Sequence, residues 1–166
     1  MTDVVTEDGA RVVLRPWTIE DVAALYDLAS EPDVAENAGF PVHTDVEASR
    51  HVIQTILSAP ECYAVVLRDS QTVIGCLQVF ANGGRSVYEA DAVEIGYWLG
   101  KSYWGRNLMS EAVGLLCRRC SQSGQFNCSK IVGKVKRGNV ASRRVLEKKR
   151  FAIIKDAQWC EYILPV

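Results

Sequence analysis

Residues 92–112, AVEIGYWLGKSYWGRNLMSEA, are the stretch best suited to chemistry: an apolar run passes through a turn holding Gly100 and Gly105 straight into a helical pattern. The amides of a helix's first turn lack intrahelical acceptors, and the macrodipole acts there as roughly half a positive charge. A phosphate can therefore seat on backbone without a basic side chain. Glycine-bearing strand-to-helix turns also arise for geometry alone, so the pattern by itself leaves both readings open. Neither G-x-x-x-x-G-K-[ST] nor G-x-G-x-x-G is present, which argues against a nucleoside triphosphate loop and a dinucleotide fingerprint.

Other reactive residue types give less. Of six cysteines, Cys117 and Cys120 form a CxxC within a helical pattern beside Arg118 and Arg119, and no second pair follows at zinc spacing. Free buried thiols and no metal are expected. His43 and His51 are isolated and HExxH is absent, so they read as surface or packing residues. The absence of G-x-S-x-G weighs against a hydrolase.

These residues need elements to hold them. Arg11 to Trp17 reads as a short strand, and Thr18 with Glu20 and Asp21 as an N-cap and acidic first turn. The helix that follows runs to about Ser30 on Val22, Leu25 and Leu28, and Pro32 closes it. A loop through Gly39 and Pro41 leads to Thr44 and Glu47, which resemble a capping box. Val52, Ile53, Ile56 and Leu57 then supply an apolar face that Pro60 ends. Two N-terminal helices are expected.

The period then changes. CYAVVL, TVIGCLQVF and AVEIGYWL are rich in β-branched and aromatic residues and predict three successive antiparallel strands. The loop ANGGRSVYEAD is longer than a hairpin needs, and such loops often carry recognition. RNLMSEAVGLLCRRC reads as a helix, SKIVGKV as a strand, NVASRRVLEKK as a helix and RFAIIKDAQWCEYILPV as two strands. Strand, turn, helix and strand in succession predict a right-handed crossover and hence a mixed sheet in an α/β fold.

At 166 residues, without repeats or Pro/Ser-rich linkers, the chain is expected to form one domain over residues 1–166. Hydrophobic residues make up 48% and charged residues 23%, an ordinary globular balance. The formal net charge of −1 gives no global basic field, so nucleic acid is not expected as a partner. The start MTDVVTEDGARVVLRPW lacks a basic flank and apolar stretch, and no apolar run approaches the roughly 20 residues that span a bilayer. No membrane association and a cytoplasmic location are expected.

The turn YWGRNLMSEA resembles the coenzyme A turn of the GNAT superfamily, in its ribosomal-protein N-terminal acetyltransferase (RimJ/RimL-like) branch. LRPWTIEDVAALYDLASEP is similar to that branch's opening strand and helix, VEIGYWL to its central strand, and GNVASRRVLEKKRF to its late Asn-x-x-Ser helix. Together these span nearly the whole chain. The resemblance implies the GNAT fold, a mixed, mostly antiparallel sheet of six to seven strands flanked by about four helices. It implies an N-acetyltransferase that moves acetyl from acetyl-CoA to a primary amine, on a protein N-terminus or a small molecule. The attack is direct, in a ternary complex, on a monomer or homodimer. The long loop is then a candidate contact for the acceptor.

The superfamily pattern Gln/Arg-x-x-Gly-x-Gly/Ala falls on Trp104, Gly105, Arg106, Asn107, Leu108 and Met109, whose backbone amides the resemblance assigns to the coenzyme. Asn107 stands in place of the central glycine, and Asn accepts positive φ more readily than other non-glycine residues. In the late helix the resemblance implies that Asn139 bonds the pantetheine arm and that Ser142 lies near the thiol. On residue type alone Asn139 reads as an N-cap. Arg150 takes the place of the glycine usual before Phe151.

Acetyl transfer needs a neutral amine, a stabilised oxyanion and a proton for the departing thiolate. Glu94, on the strand before the turn, is the leading base; its alternative is a solvated or ion-paired strand carboxylate. Glu111 reads as a helix position. The resemblance puts the oxyanion donor on the backbone near Tyr97 to Leu99, with Leu99 beside the coenzyme. Ser142 is the candidate acid, with Tyr162 and Tyr103 as alternatives. Trp98 and Trp104 either wall the pantetheine channel or pack in the core. Arg106, Lys101 and Arg143 are candidates for the phosphates, Arg106 the best placed. A module that binds acetyl-CoA without turnover is the competing reading, motivated by Asn107 and Arg150.

Overall fold

β-branched and aromatic runs make the strands, and the near-continuous apolar ones are the strands covered on both faces. The computed structural model describes residues 4–80, 91–124 and 126–166. Within the described residues seven strands form one sheet in the order β1-β2-β3-β4-β5-β7-β6: β1 Val12–Pro16, β2 Cys62–Leu67, β3 Val73–Phe80, β4 Ala92–Leu99, β5 Lys130–Lys136, β6 Ala152–Lys155 and β7 Trp159–Pro165. Among the described pairings only β4 with β5 is parallel, joined through a helix as the crossover pattern predicts. Among the described residues five α-helices accompany the sheet: α1 Val22–Ala29, α2 Pro32–Ala38, α3 Val46–Val52, α4 Leu108–Ser123 and α5 Val140–Lys148. The architecture is the mixed, mostly antiparallel α/β arrangement of the GNAT fold.

The chain divides into two compact units, Met1–Gln78 with Tyr97–Ala112, and Val79–Gly96 with Val113–Val166. In the first, β2 pairs with β1 from Val12 opposite Leu67 to Pro16 opposite Tyr63, and with β3 on its other edge. Trp17, Val22, Leu25, Ala29, Ile53, Leu57, Ala64 and Val66 belong to its buried core. Arg15 grips the Asp21 carboxylate with two 2.8 Å hydrogen bonds, and the Thr18 N–H donates to the same carboxylate at 2.9 Å. That ties the end of β1 to the start of α1.

Three expectations are corrected here. Pro32 begins a helix as well as ending one, so three helices, not two, precede β2. Proline at the first helical position loses no bond, because that N–H is unpaired in any helix. Gly39, left-handed at φ +78°, closes α2. The cap of α3 is Asp45, not Thr44: its carboxylate accepts the Ala48 N–H at 2.8 Å, and a π-type turn over Ile53–Leu57 continues the helix. Ile53 and Leu57 are buried while Ile56 is exposed, since a wider turn shifts the face that residues 53–57 present.

In the second unit β4 and β5 pair from Ala92 opposite Lys130 to Ile95 opposite Gly133, and β7 lies antiparallel between β5 and β6. Gly133 makes room for α5: a Cβ there would lie 2.6 Å from the Leu146 side chain. The loop ANGGRSVYEAD lies outside the described residues except for Asp91. All six cysteines are free thiols, and no three His, Cys, Asp or Glu side chains gather as a metal set among the described residues. Burial pushes the thiol of Cys117 up to about 11 and that of Cys120 up to about 12. Among the described residues no helix is long and apolar enough to cross a membrane.

Candidate functional site

The turn after β4 is held from below by two glycines. A Cβ on Gly75 would lie 2.2 Å from the Trp98 carbonyl oxygen, and one on Gly100 would lie 2.3 Å from the Leu28 side chain. The Gly100 N–H donates to the Ile74 carbonyl at 2.9 Å, so the exit of β4 is fastened to β3. A short 3-10 turn, Lys101–Tyr103, follows. The Trp104 indole N–H then reaches back to the Leu99 carbonyl at 2.8 Å. The chain runs exposed through Trp104, Gly105, Arg106 and Asn107 before α4 begins at Leu108.

Two of these residues are left-handed: Gly105 at φ +72° and Asn107 at φ +61°, one on each side of Arg106. Asparagine therefore adopts the conformation that the pattern's glycine would supply. Leu108 and Met109 are each 4% exposed, so their side chains belong to the core and only their main chain faces the turn. The first helical bond of α4 is Glu111 N–H to the Asn107 carbonyl at 3.2 Å, and Leu108 to Ser110 have no acceptor within the helix. The 16-residue α4 places the positive end of its dipole at this turn.

Two sequence candidates in this unit are engaged elsewhere or in packing, and a third stays at the turn. Lys101 pairs with Asp33, which takes it away from a phosphate role. Trp98 is half-buried against the first unit's core and meets Phe40 edge-on at 5.3 Å, the packing alternative for that residue. Arg106 lies 6.0 Å from the Tyr103 ring centroid and stays at the turn. His43, buried, shares a 2.7 Å hydrogen bond between Nδ1 and Ser49 Oγ, and burial holds its pKa below the usual histidine value. His51 is exposed.

The second unit holds the remaining candidates. Glu94 is 6% exposed on β4, opposite Val132 of β5, so it is a buried strand carboxylate and not a solvated one. Asn139 caps α5, its side-chain oxygen accepting the Ser142 N–H at 3.1 Å. The cap and the serine are thus brought together by one helix turn. Arg143 Nε donates to the Tyr162 hydroxyl at 2.9 Å and Nη1 to the Arg137 carbonyl at 3.4 Å. The Tyr162 hydroxyl in turn donates to Glu147 at 2.9 Å, and burial raises its pKa above the ordinary phenol value. Tyr162 is accordingly a weaker proton donor than its residue type suggests, and Arg143 is occupied.

Arg150 is left-handed at φ +65°. Its N–H bonds the Glu147 carbonyl at 3.0 Å and the Phe151 N–H bonds the Leu146 carbonyl at 3.1 Å, the Schellman arrangement that a glycine usually completes. Arg11 also reaches the turn, through Glu111 and the Arg106 carbonyl. No local pattern marks it, because its partners lie about a hundred residues along the chain.

The family described as acetyltransferase (GNAT) domain matches residues 11–152. The uncharacterized N-acetyltransferase p20 of Bacillus licheniformis is 30% identical over 149 residues, covering 85% of this chain and 79% of that protein. The uncharacterized N-acetyltransferase YnaD of Bacillus subtilis is 25% identical, over 83% of this chain and 77% of that protein. Among solved structures, a GNAT-family acetyltransferase of Bacillus anthracis superposes with a TM-score of 0.79 at 19% identity, covering 97% of this chain and 96% of that one. RimL, a ribosomal alpha-N-protein acetyltransferase solved in complex with coenzyme A, superposes with a TM-score of 0.76 at 20% identity, covering 99% of this chain and 98% of that one. At these identities the structures share the fold. A family match across 11–152, joined to the left-handed turn that opens α4, makes this chain a member of the GNAT acetyltransferase family.

Proposed function

We propose that the protein is an acetyl-CoA-dependent N-acetyltransferase of the RimJ/RimL-like kind. It acts as one domain, transferring acetyl to a primary amine on a protein N-terminus or a small molecule. The observation that carries the reading is the exposed turn in which Gly105 and Asn107 are both left-handed immediately before α4. A diphosphate there would be held by main-chain amides and the helix dipole, with Arg106 as the side-chain cation. Trp104 would flank the pantetheine arm, and β4 near Leu99 would supply the main-chain donor for the oxyanion.

In this reading Glu94 takes the ammonium proton from the acceptor, directly or through water; the freed amine nitrogen bonds the thioester carbonyl carbon and the C–S bond then breaks, Ser142 passing its hydroxyl proton to the departing thiolate as it takes up the proton that the new amide nitrogen gives up. Asn139 spends its side-chain oxygen on the α5 cap, which leaves its NH2 group as the donor for the pantetheine arm. A coenzyme-binding module without turnover draws no support from Asn107 or Arg150, since both keep glycine-like backbone. Calorimetry with acetyl-CoA, followed by a thiol-release assay over a panel of N-terminal peptides, polyamines and other small amines, tests the proposal. Binding with turnover on at least one amine supports it. Binding without turnover supports the module, and no binding removes both.

A further inference from the structure

The geometry points to Arg11, at the entry to β1, as the residue that positions the coenzyme turn, an inference that rests on the functional reading above. Arg11 makes three bonds to this region. Its Nε donates to the Glu111 carboxylate at 3.0 Å, its own backbone N–H donates to the other oxygen of that carboxylate, and its Nη2 donates to the Arg106 carbonyl at 3.3 Å.

The last bond has a consequence for the ligand side of the turn. A trans peptide is planar, and its C=O and N–H point in opposite directions. Drawing the Arg106 carbonyl toward Arg11 turns the Asn107 N–H to the other side. Asn107 holds the left-handed conformation at φ +61°, which asparagine adopts more readily than other non-glycine residues but less freely than glycine. An external grip on the preceding carbonyl is what such a residue needs to keep one peptide orientation.

The bonds to Glu111 have a separate effect. Glu111 lies in the first turn of α4, where a carboxylate suits the helix dipole but repels an incoming diphosphate. Two donors from Arg11 satisfy and partly neutralise it. Arg11 thus acts on the cofactor through Arg106, Asn107 and Glu111 and is a positioning residue, not a catalytic one.

The test measures coenzyme A binding by calorimetry, and the KM for acetyl-CoA on an amine that turns over, in wild type, Arg11→Met, Arg11→Lys and the Arg11→Met/Glu111→Gln pair. Arg11→Met should weaken coenzyme A binding about three- to tenfold and raise KM by the same factor, with kcat at saturating donor shifted less than about twofold, as expected for a charge-assisted bond at a half-exposed site. Arg11→Lys keeps the charge beside Glu111 but cannot fork to the Arg106 carbonyl, so its loss should be smaller than that of Arg11→Met. The double variant should regain part of the affinity, because the repelling carboxylate is gone. Wild-type binding with unaltered affinity in Arg11→Met overturns the inference alone, as does a loss the double variant fails to relieve at all. A wild-type protein that takes up no coenzyme A removes the functional reading and this inference together.

Discussion

Replacing Arg150 by glycine should make the protein more stable, although it deletes a side chain and adds nothing to the core. Arg150 occupies the left-handed position after α5 at φ +65°, with the two Schellman bonds already in place and Phe151 and Leu146 buried at 4% and 0% exposure. A non-glycine residue pays about 1–2 kcal/mol for left-handed backbone, and glycine's greater freedom in the unfolded chain returns about 0.5–1 kcal/mol of that. The net gain expected is about 0.5–1 kcal/mol, or about 1–4 °C in Tm for a chain of this size. The charge of Arg150 complicates a single comparison, since it lies at the end of the Lys148, Lys149, Arg150 run beside a helix C-terminus. Arg150→Ala removes the charge while keeping the strain and serves as the reference. Urea and thermal unfolding of both variants should put Arg150→Gly above Arg150→Ala by about 0.5–1 kcal/mol. Equal stability of the two would mean that the left-handed backbone costs alanine no more than glycine's unfolded-state freedom offsets, and the backbone reasoning used for Asn107 would weaken with it.

Gly75→Ala should cost about 1–3 kcal/mol, toward the upper end, because the new Cβ meets the Trp98 backbone oxygen at 2.2 Å and neither strand can yield without parting the pair. A variant as stable as wild type in urea would show that β3 does not fasten the exit of β4. Alkali should destabilise the protein. Burial holds the Cys62 and Cys117 thiols up at about 11 and Cys120 at about 12 against an ordinary value of 9.0, so the folded chain keeps protons that the unfolded chain has lost. That contribution is intact below the ordinary value and is lost as pH rises toward the folded ones, so the urea midpoint should fall between about pH 8 and about pH 10.5. A flat midpoint refutes it. Glu94→Gln should slow acetylation mostly below about pH 8, where a base must deprotonate the amine, and leave coenzyme affinity near wild type; an unchanged pH profile would remove Glu94 from the chemistry.

What was legible in the sequence was what neighbours in sequence decide. Alternation and β-branching located the strands, and the glycines of 92–112 located the turn. Asn139 was readable as a cap because capping is a three-residue event, and its oxygen does accept the Ser142 N–H. Pro32 misled because proline both ends one helix and starts the next, and only Gly39, left-handed seven residues on, separates the two meanings. Thr44 lost the cap to Asp45 by one position, a choice between adjacent good caps that backbone direction settles. Lys101, Arg143 and Tyr162 were judged as isolated residue types. Their partners Asp33, Arg137 and Glu147 come from other turns of the fold, and those partners decide whether a cation or a hydroxyl is left over for a ligand. Arg11 was invisible for the same reason.

Net charge misleads in a related way, because it is a sum over the chain whereas a partner feels a local field. The first unit carries fourteen acidic and six basic residues, net −8, and the second six acidic and thirteen basic, net +7, which cancel to the −1 of the whole chain. A near-neutral total therefore gives no ground for excluding anionic partners, and the expectation against nucleic acid loses the argument that supported it. The acceptor is constrained instead by what lies near the reacting atoms. The coenzyme's phosphates would depend on the short-range amides of the turn, on Arg106, and on Arg11 keeping Glu111 occupied. Backbone that is preset in a left-handed turn needs little further ordering when a ligand arrives, so on the proposed reading the conformation at Gly105 and Asn107 would matter more to binding than the count of positive side chains.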